Sequence, residues 1–189
     1  MTSEKFQIVA FTTNETKPTP NDILKIFLNQ HTHTIKVQSA HAIQCEFSLQ
    51  NKSSEIMMIS ISDLNRTYDG ICDVSFYFLF VYLQNLNAQK NFESTCAYMK
   101  KYCDLSKKVF IFGILNDDFF KREISEEDIN IILGEYFIYY EYYEIELTDE
   151  KQIGDNILEI LLSFSQKRDL VTKKEGLHKK DSTHSCVFY

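Results

Sequence analysis

Lys17 lies in the polar loop Phe11-Thr12-Thr13-Asn14-Glu15-Thr16-Lys17-Pro18, between an apolar run and an amphipathic segment. A loop so placed cradles phosphate when glycines let backbone N–H groups crowd the anion and a lysine reaches its outer oxygens. This one has the lysine and none of the glycines; Glu15 adds negative charge, and Pro18 removes one N–H. His31 and His33 could ligate a metal, but no cluster of acids or thiols accompanies them, and solvated loop histidines are the simpler reading. The cysteines Cys45, Cys72, Cys96, Cys103 and Cys186 show no CxxC spacing, which predicts reduced thiols, four of them packing as small hydrophobes. Cys186 stands fourth from the end in Cys186-Val187-Phe188-Tyr189, the arrangement that prenylation requires, and Lys173, Lys174, Lys179 and Lys180 lie upstream. A single lipid is a marginal anchor, so the lysines would supply the second attraction to an anionic membrane surface.

Strand-like and helix-like segments alternate to position these residues. Phe6 to Phe11 reads as a buried strand, and Asn21 as the cap of a helix with Ile23, Ile26 and Phe27 on its apolar face, ending near Asn29. Ile35 to Leu49 and Ser54 to Ile61 read as extended segments joined by a hairpin turn at Gln50-Asn51-Lys52-Ser53. Phe76 to Leu83 is the most apolar run, and Phe92, Cys96, Met99 and Cys103 after it recur at helical spacing. Val109 to Ile114 is another buried strand, and Ser125-Glu126-Glu127-Asp128 resembles a capping box opening a helix that buries Ile129, Ile132 and Leu133. Tyr136 to Leu147 carries the last strand; Ile153, Ile157, Leu158, Leu161 and Leu162 line the last helix, and the periodicity stops after Phe164. The pattern predicts a doubly wound α/β domain over residues 1–165, with a mostly parallel six-stranded sheet, one antiparallel hairpin strand and helices on both faces. Residues 166–189 are expected to form a flexible basic tail. In such sheets ligands bind beyond the carboxyl ends of the strands, here the loops after Phe11, Ile61, Ile114 and Leu147, together with the connection from Asn29 to Ile35.

Composition bounds the function classes. The chain has 189 residues and 44% hydrophobic content, enough for one core. Its longest apolar run is well short of the ~18 residues of a membrane span, and the sequence begins without the pattern of a secretory leader. A cytoplasmic protein is therefore expected. Six basic and three acidic residues follow Phe164, so the net charge of −7 conceals a more acidic body and a basic tail. An acidic body repels phosphate backbones, which argues against a nucleic-acid partner.

The order of elements, with the stretches Ile26 to Ile35 (IFLNQHTHTI), Ile59 to Asp63 (ISISD), Phe78 to Tyr82 with Asn91-Phe92-Glu93, Val109 to Asp117 (VFIFGILND) and Tyr143 to Ile153 (YEIELTDEKQI), resembles the small GTPases of the Ras superfamily. The likeness covers about Phe6 to Phe164, with a CaaX-like tail after it. It implies that the phosphate-loop pattern GxxxxGK[ST] falls on Phe11 to Pro18, with Phe11 and Thr16 replacing the glycines, Pro18 replacing the hydroxyl residue, and Lys17 retained. Thr34 matches the threonine that would coordinate Mg²⁺. Asp63 matches the acid of DxxG, with Arg66 in place of the glycine and Thr67 where a water-orienting glutamine is expected. Asp117 matches the base-reading aspartate of NKxD, but Ile114 and Leu115 replace the asparagine and lysine, leaving an apolar slot; Glu146-Leu147-Thr148 replaces the SAK loop. The residual candidates are thus Lys17 and Asp117 for nucleotide and Thr34 and Asp63 for metal, with no catalytic residue assigned. The expectation is a membrane-anchored binding or regulatory module, peripheral on the cytosolic face of a membrane. It would recruit protein partners through surface loops, with no required cofactor and little or no GTP hydrolysis. The alternative is a slow or atypical small GTPase that binds GTP or GDP with Mg²⁺ as a signalling switch.

Overall fold

The computed structural model describes residues 4–13, 18–61, 73–116 and 121–180, with side chains as far as Ser165. Its elements are β1 (Glu4–Thr12), α1 (Pro20–Asn29), β2 (His33–Gln38), β3 (Ala42–Leu49), β4 (Lys52–Ile61), β5 (Phe76–Tyr82), α2 (Ala88–Tyr102), β6 (Val109–Leu115), α3 (Glu126–Tyr136), β7 (Tyr140–Glu146) and α4 (Glu150–Lys180). The strands form one α/β mixed sheet in the order β2-β3-β4-β1-β5-β6-β7. Its pairings from β4 to β7 are parallel, as expected of a mostly parallel sheet, while β2 with β3 and β3 with β4 are antiparallel.

Seven strands replace the expected six because the segment Ile35 to Leu49 folds back on itself. Ser39 makes the bend: its hydroxyl accepts the N–H groups of His41 and Ala42, and its own N–H donates to the Ala42 carbonyl. Short hydroxyl side chains compete for backbone groups in this way and interrupt extended structure. The next turn is tighter than the sequence implied. Leu49 pairs with Lys52, leaving only Gln50 and Asn51 in the loop, both at positive φ (49° and 63°). Two such residues match the twist of flanking antiparallel strands.

Two apolar clusters hold the sheet. Along β5 the side chains of Phe76, Phe78, Phe80 and Tyr82 join one cluster, with Ile23, Leu24 and Phe27 of α1 and Ile153, Ile157 and Ile160 of α4. Tyr77, Leu79 and Val81 join the other, with Phe92, Cys96 and Met99 of α2 and Ile129 and Leu133 of α3. That division follows from the period of two along a strand. The Phe80 and Phe112 rings stack at 5.2 Å, and Phe164 of α4 lies 4.6 Å from Phe76 and 5.8 Å from Phe110. Ser125 caps α3 as expected, its hydroxyl accepting the Asp128 N–H at 3.1 Å. The backbone of α4 continues as helix to Lys180, beyond the point where its apolar periodicity ends.

Gly113 in β6 lies against the side chain of Tyr142 in β7. A Cβ there would overlap the Tyr142 hydroxyl and lie 2.9 Å from its Cζ, and Tyr142 is held by a 2.9 Å bond from its hydroxyl to Glu144. Gly113→Ala is expected to destabilise the protein by about 1–3 kcal/mol in urea unfolding, the usual cost of overpacking. Adding Tyr142→Phe should recover part of that loss, because the hydroxyl is the first atom met.

Candidate functional site

The C-terminal edge of the parallel strands, where β1 turns into α1, is the place to look for ligand chemistry. Phe11, the position at which a phosphate loop would want glycine, sends a fully buried side chain into the core, 6.2 Å from the Tyr77 ring and 6.1 Å from Tyr98. Thr13 donates its N–H to the Phe80 carbonyl at 3.1 Å, tying the chain to β5 as it leaves the sheet. Tyr82, buried at the end of β5, donates its hydroxyl to the Pro18 carbonyl on the far side of the loop. Burial pushes that phenol well above its ordinary range. Residues 14–17, Lys17 among them, lie outside the described residues.

The helix that follows closes its own N-terminus. Thr19, not Asn21, is the cap: its hydroxyl accepts the Asp22 N–H, and the Asp22 carboxylate accepts the Thr19 N–H at 2.9 Å and its hydroxyl at 2.8 Å. Pro20 stands at the first helical position and has no N–H to offer. An anion approaching this end would meet a carboxylate already seated there, with the helix dipole partly satisfied by it.

Asn21, two residues past the cap, is free to do something else. Its side chain, 5% exposed, donates to the Ser39 and Ala40 carbonyls at 3.2 and 3.3 Å and accepts the Ser60 hydroxyl at 2.9 Å. The Ser60 N–H in turn donates to the His41 carbonyl at 2.8 Å. One amide thus binds α1, the β2–β3 turn and the end of β4 together. Asn21, Ser39 and Ser60 stand in the sequence with no spacing that announces this network.

Thr34 is the described member of the expected metal set. That residue faces solvent on the edge strand β2, and the register runs from Thr34 to Glu46, to Glu55, to Lys5. Lys5 lies at the opposite end of β1 from Thr12, roughly 23 Å away at ~3.3 Å per residue. A metal held by Thr34 therefore could not also meet a phosphate at the loop after β1. Beside Thr34 is a shallow, open depression of about 260 Å³, also lined by His33, Glu46 and Phe47. His33 Nδ1 lies 3.0 Å from the His31 carbonyl, and the His31 ring packs 4.6 Å from Phe27. Among the described residues no three His, Cys, Asp or Glu side chains gather as a metal site. Asp63, Arg66, Thr67, Asp117 and Cys186 lie outside the described residues, as do the side chains of Lys173, Lys174, Lys179 and Lys180.

Ile114 and Leu115 do not form the expected apolar slot. Ile114 packs into one core cluster and Leu115 against the other, while the Asn116 N–H donates to the Gln84 side-chain carbonyl at 2.8 Å. Glu146 is exposed, and the Leu147 N–H bonds to the Leu115 carbonyl at 3.0 Å. The described thiols are poor nucleophiles. Burial pushes Cys45 from 9.0 up to about 11 and Cys103 up to about 12.

Two outcomes follow from this geometry. Asn21→Ala should cost about 2–3 kcal/mol in chemical denaturation, because it strands a buried hydroxyl and two carbonyls. Thr19→Ala should cost about 1 kcal/mol, the usual value of a cap. The thiols add a pH dependence. Because folding raises their proton affinity, the stability they contribute is complete below about pH 9 and is lost as the pH rises towards 11–12. At pH 8, mass mapping after thiol alkylation should find Cys45, Cys96 and Cys103 protected in the folded chain and labelled in denaturant. Neither models of known protein families nor curated proteins match the sequence.

Proposed function

We propose that the protein is a small-GTPase-like binding or regulatory module that has given up canonical nucleotide chemistry. The frame is supported by the run β3-β4-β1-β5-β6-β7, in which the helical connections after β5 and β6 lead to the next parallel strand, and by the two clusters that divide the side chains of β5. The loss of chemistry rests above all on the Thr19–Asp22 box. It places a carboxylate at the helix terminus where a bound phosphate would have to sit. Phe11 in the core and Thr34 at the far end of the sheet point the same way.

Function would then come from surfaces rather than from a hydrolysis cycle. Recruitment of protein partners through the loops is one part of the proposal. The other is attachment to the cytosolic face of a membrane through Cys186 and the lysines Lys173, Lys174, Lys179 and Lys180, an assignment carried by the sequence order alone. The slow-GTPase alternative keeps one observation in its favour. The strands preceding Lys17, Asp63 and Asp117 all end at the same edge of the sheet.

Nucleotide content decides between the two. Heat-denatured purified protein, its supernatant resolved by ion exchange, is expected to yield no stoichiometric GDP or GTP; a stoichiometric peak would overturn the proposal in favour of the alternative. Membrane fractionation of the native chain beside Cys186→Ser tests the anchor, and equal partitioning would remove it.

A further inference from the structure

The segment from Lys100 to Lys108, KKYCDLSKK, closes α2 and leads into β6 with four lysines and one acid, in a chain whose net charge is −7. Lys100, Lys101 and Lys107 are exposed, whereas Lys108 is half-buried and paired with Glu141. The Asp104 carboxylate turns back into its own loop, accepting the Ser106 hydroxyl at 2.6 Å and the Ser106 N–H at 3.1 Å. Two contacts bring the α3–β7 connection against this segment. The Val109 N–H donates to the Tyr139 carbonyl at 3.0 Å, and the Lys100 ammonium stands 5.3 Å over the Tyr136 ring. At their junction are Ile138, 84% exposed, Tyr139, 59%, and Tyr102, 51%, the last with the Lys101 ammonium 4.9 Å from its ring. The neighbouring acids are Glu93 of α2 and Glu135 of α3, both close to Tyr136, and Glu141, already matched by Lys108.

We propose that this end of the domain, where β6 and β7 begin, docks on an anionic phospholipid bilayer. The chemistry is divided as a bilayer surface requires. The exposed aliphatic side chain of Ile138 enters the acyl boundary, the amphipathic Tyr102 and Tyr139 rings sit at the headgroup level, and Lys100, Lys101 and Lys107 meet lipid phosphates. The long helix leaves at the same end. Phe164 packs on Phe76, the first residue of β5, and Phe110, the second of β6, and the α4 backbone continues to Lys180, roughly 24 Å further at ~1.5 Å per residue. The sequence of that extension has six basic residues against two acids. A surface held at this end therefore meets the folded body and the basic helix together, and the contact by the body needs no lipid on Cys186.

The test uses the full chain in unlipidated form and co-sedimentation with phosphatidylcholine vesicles, with and without about 30% phosphatidylserine, near 0.1 M salt. Binding to the serine-containing vesicles is expected. It should fall at least ~10-fold for Lys100→Glu/Lys101→Glu/Lys107→Glu and measurably for Ile138→Ser/Tyr139→Ser, both variants unfolding at the wild-type temperature. Wild-type affinity in both patch variants, with binding abolished only by Lys173→Glu/Lys174→Glu/Lys179→Glu/Lys180→Glu, would assign the contact to the tail and overturn the proposal. So would a wild-type chain that sediments with neither vesicle, including one that instead binds poly-glutamate through the same lysines.

Discussion

Every side chain of β5 from Phe76 to Tyr82 is buried, and the strand is bonded to β1 on one side and β6 on the other. A strand in that position can present no polar face to water, so both of its surfaces must be roofed. Residues of α1 and α4 join the cluster of Phe76, Phe78, Phe80 and Tyr82, and residues of α2 and α3 join that of Tyr77, Leu79 and Val81. Aromatic residues dominate the first cluster. Phe76, Phe78, Phe80, Phe110, Phe112 and Phe164 form a chain of ring contacts that fixes where α4 can lie. The placement of the remaining elements is subordinate to this double burial.

The polar groups at the end of that strand had to be satisfied internally, and this shapes the neighbouring loop. Tyr82 carries a hydroxyl into an apolar setting and meets the Pro18 carbonyl; Asn21 carries an amide and meets three partners. Buried donors and acceptors left without partners cost about as much as a lost cap or more, so such contacts stiffen whatever they join. The edge of the sheet that elsewhere in α/β domains is left open for a ligand is here occupied, over its described part, by the protein's own hydrogen bonds. A binding role placed on the outer surfaces is compatible with that closure.

Much of the fold was legible because burial leaves a strong pattern. The continuous run FYFLFVY announced a wholly buried strand, and Phe92, Cys96 and Met99 announced the buried face of α2. The extra strand was not legible, since Ile35 to Leu49 contains neither glycine nor proline and the break depends on one serine hydroxyl accepting two N–H groups. Asn21 looked like a cap because caps are chosen among Ser, Thr, Asp and Asn, and Thr19 with Asp22 satisfied the same rule two residues earlier. The place of Thr34 was not legible for a related reason. Matching a motif gives sequence order, and only strand register tells which end of a sheet a residue occupies.

The two outer strands finish the sheet in different ways. On β2 the register slips between Ile35 and Val37, and the intervening Lys36 turns inward to Glu46 at 2.5 Å and Glu55 at 3.9 Å. On β7 the glutamates Glu141, Glu144 and Glu146 recur along the strand. A bulge on one border and charged side chains along the other, two of them paired with Lys108 and Arg122, are devices by which open sheets discourage further strands from joining. For a chain this rich in aromatic β-formers, those two borders are what keep the ordered sheet from serving as a template for its own aggregation.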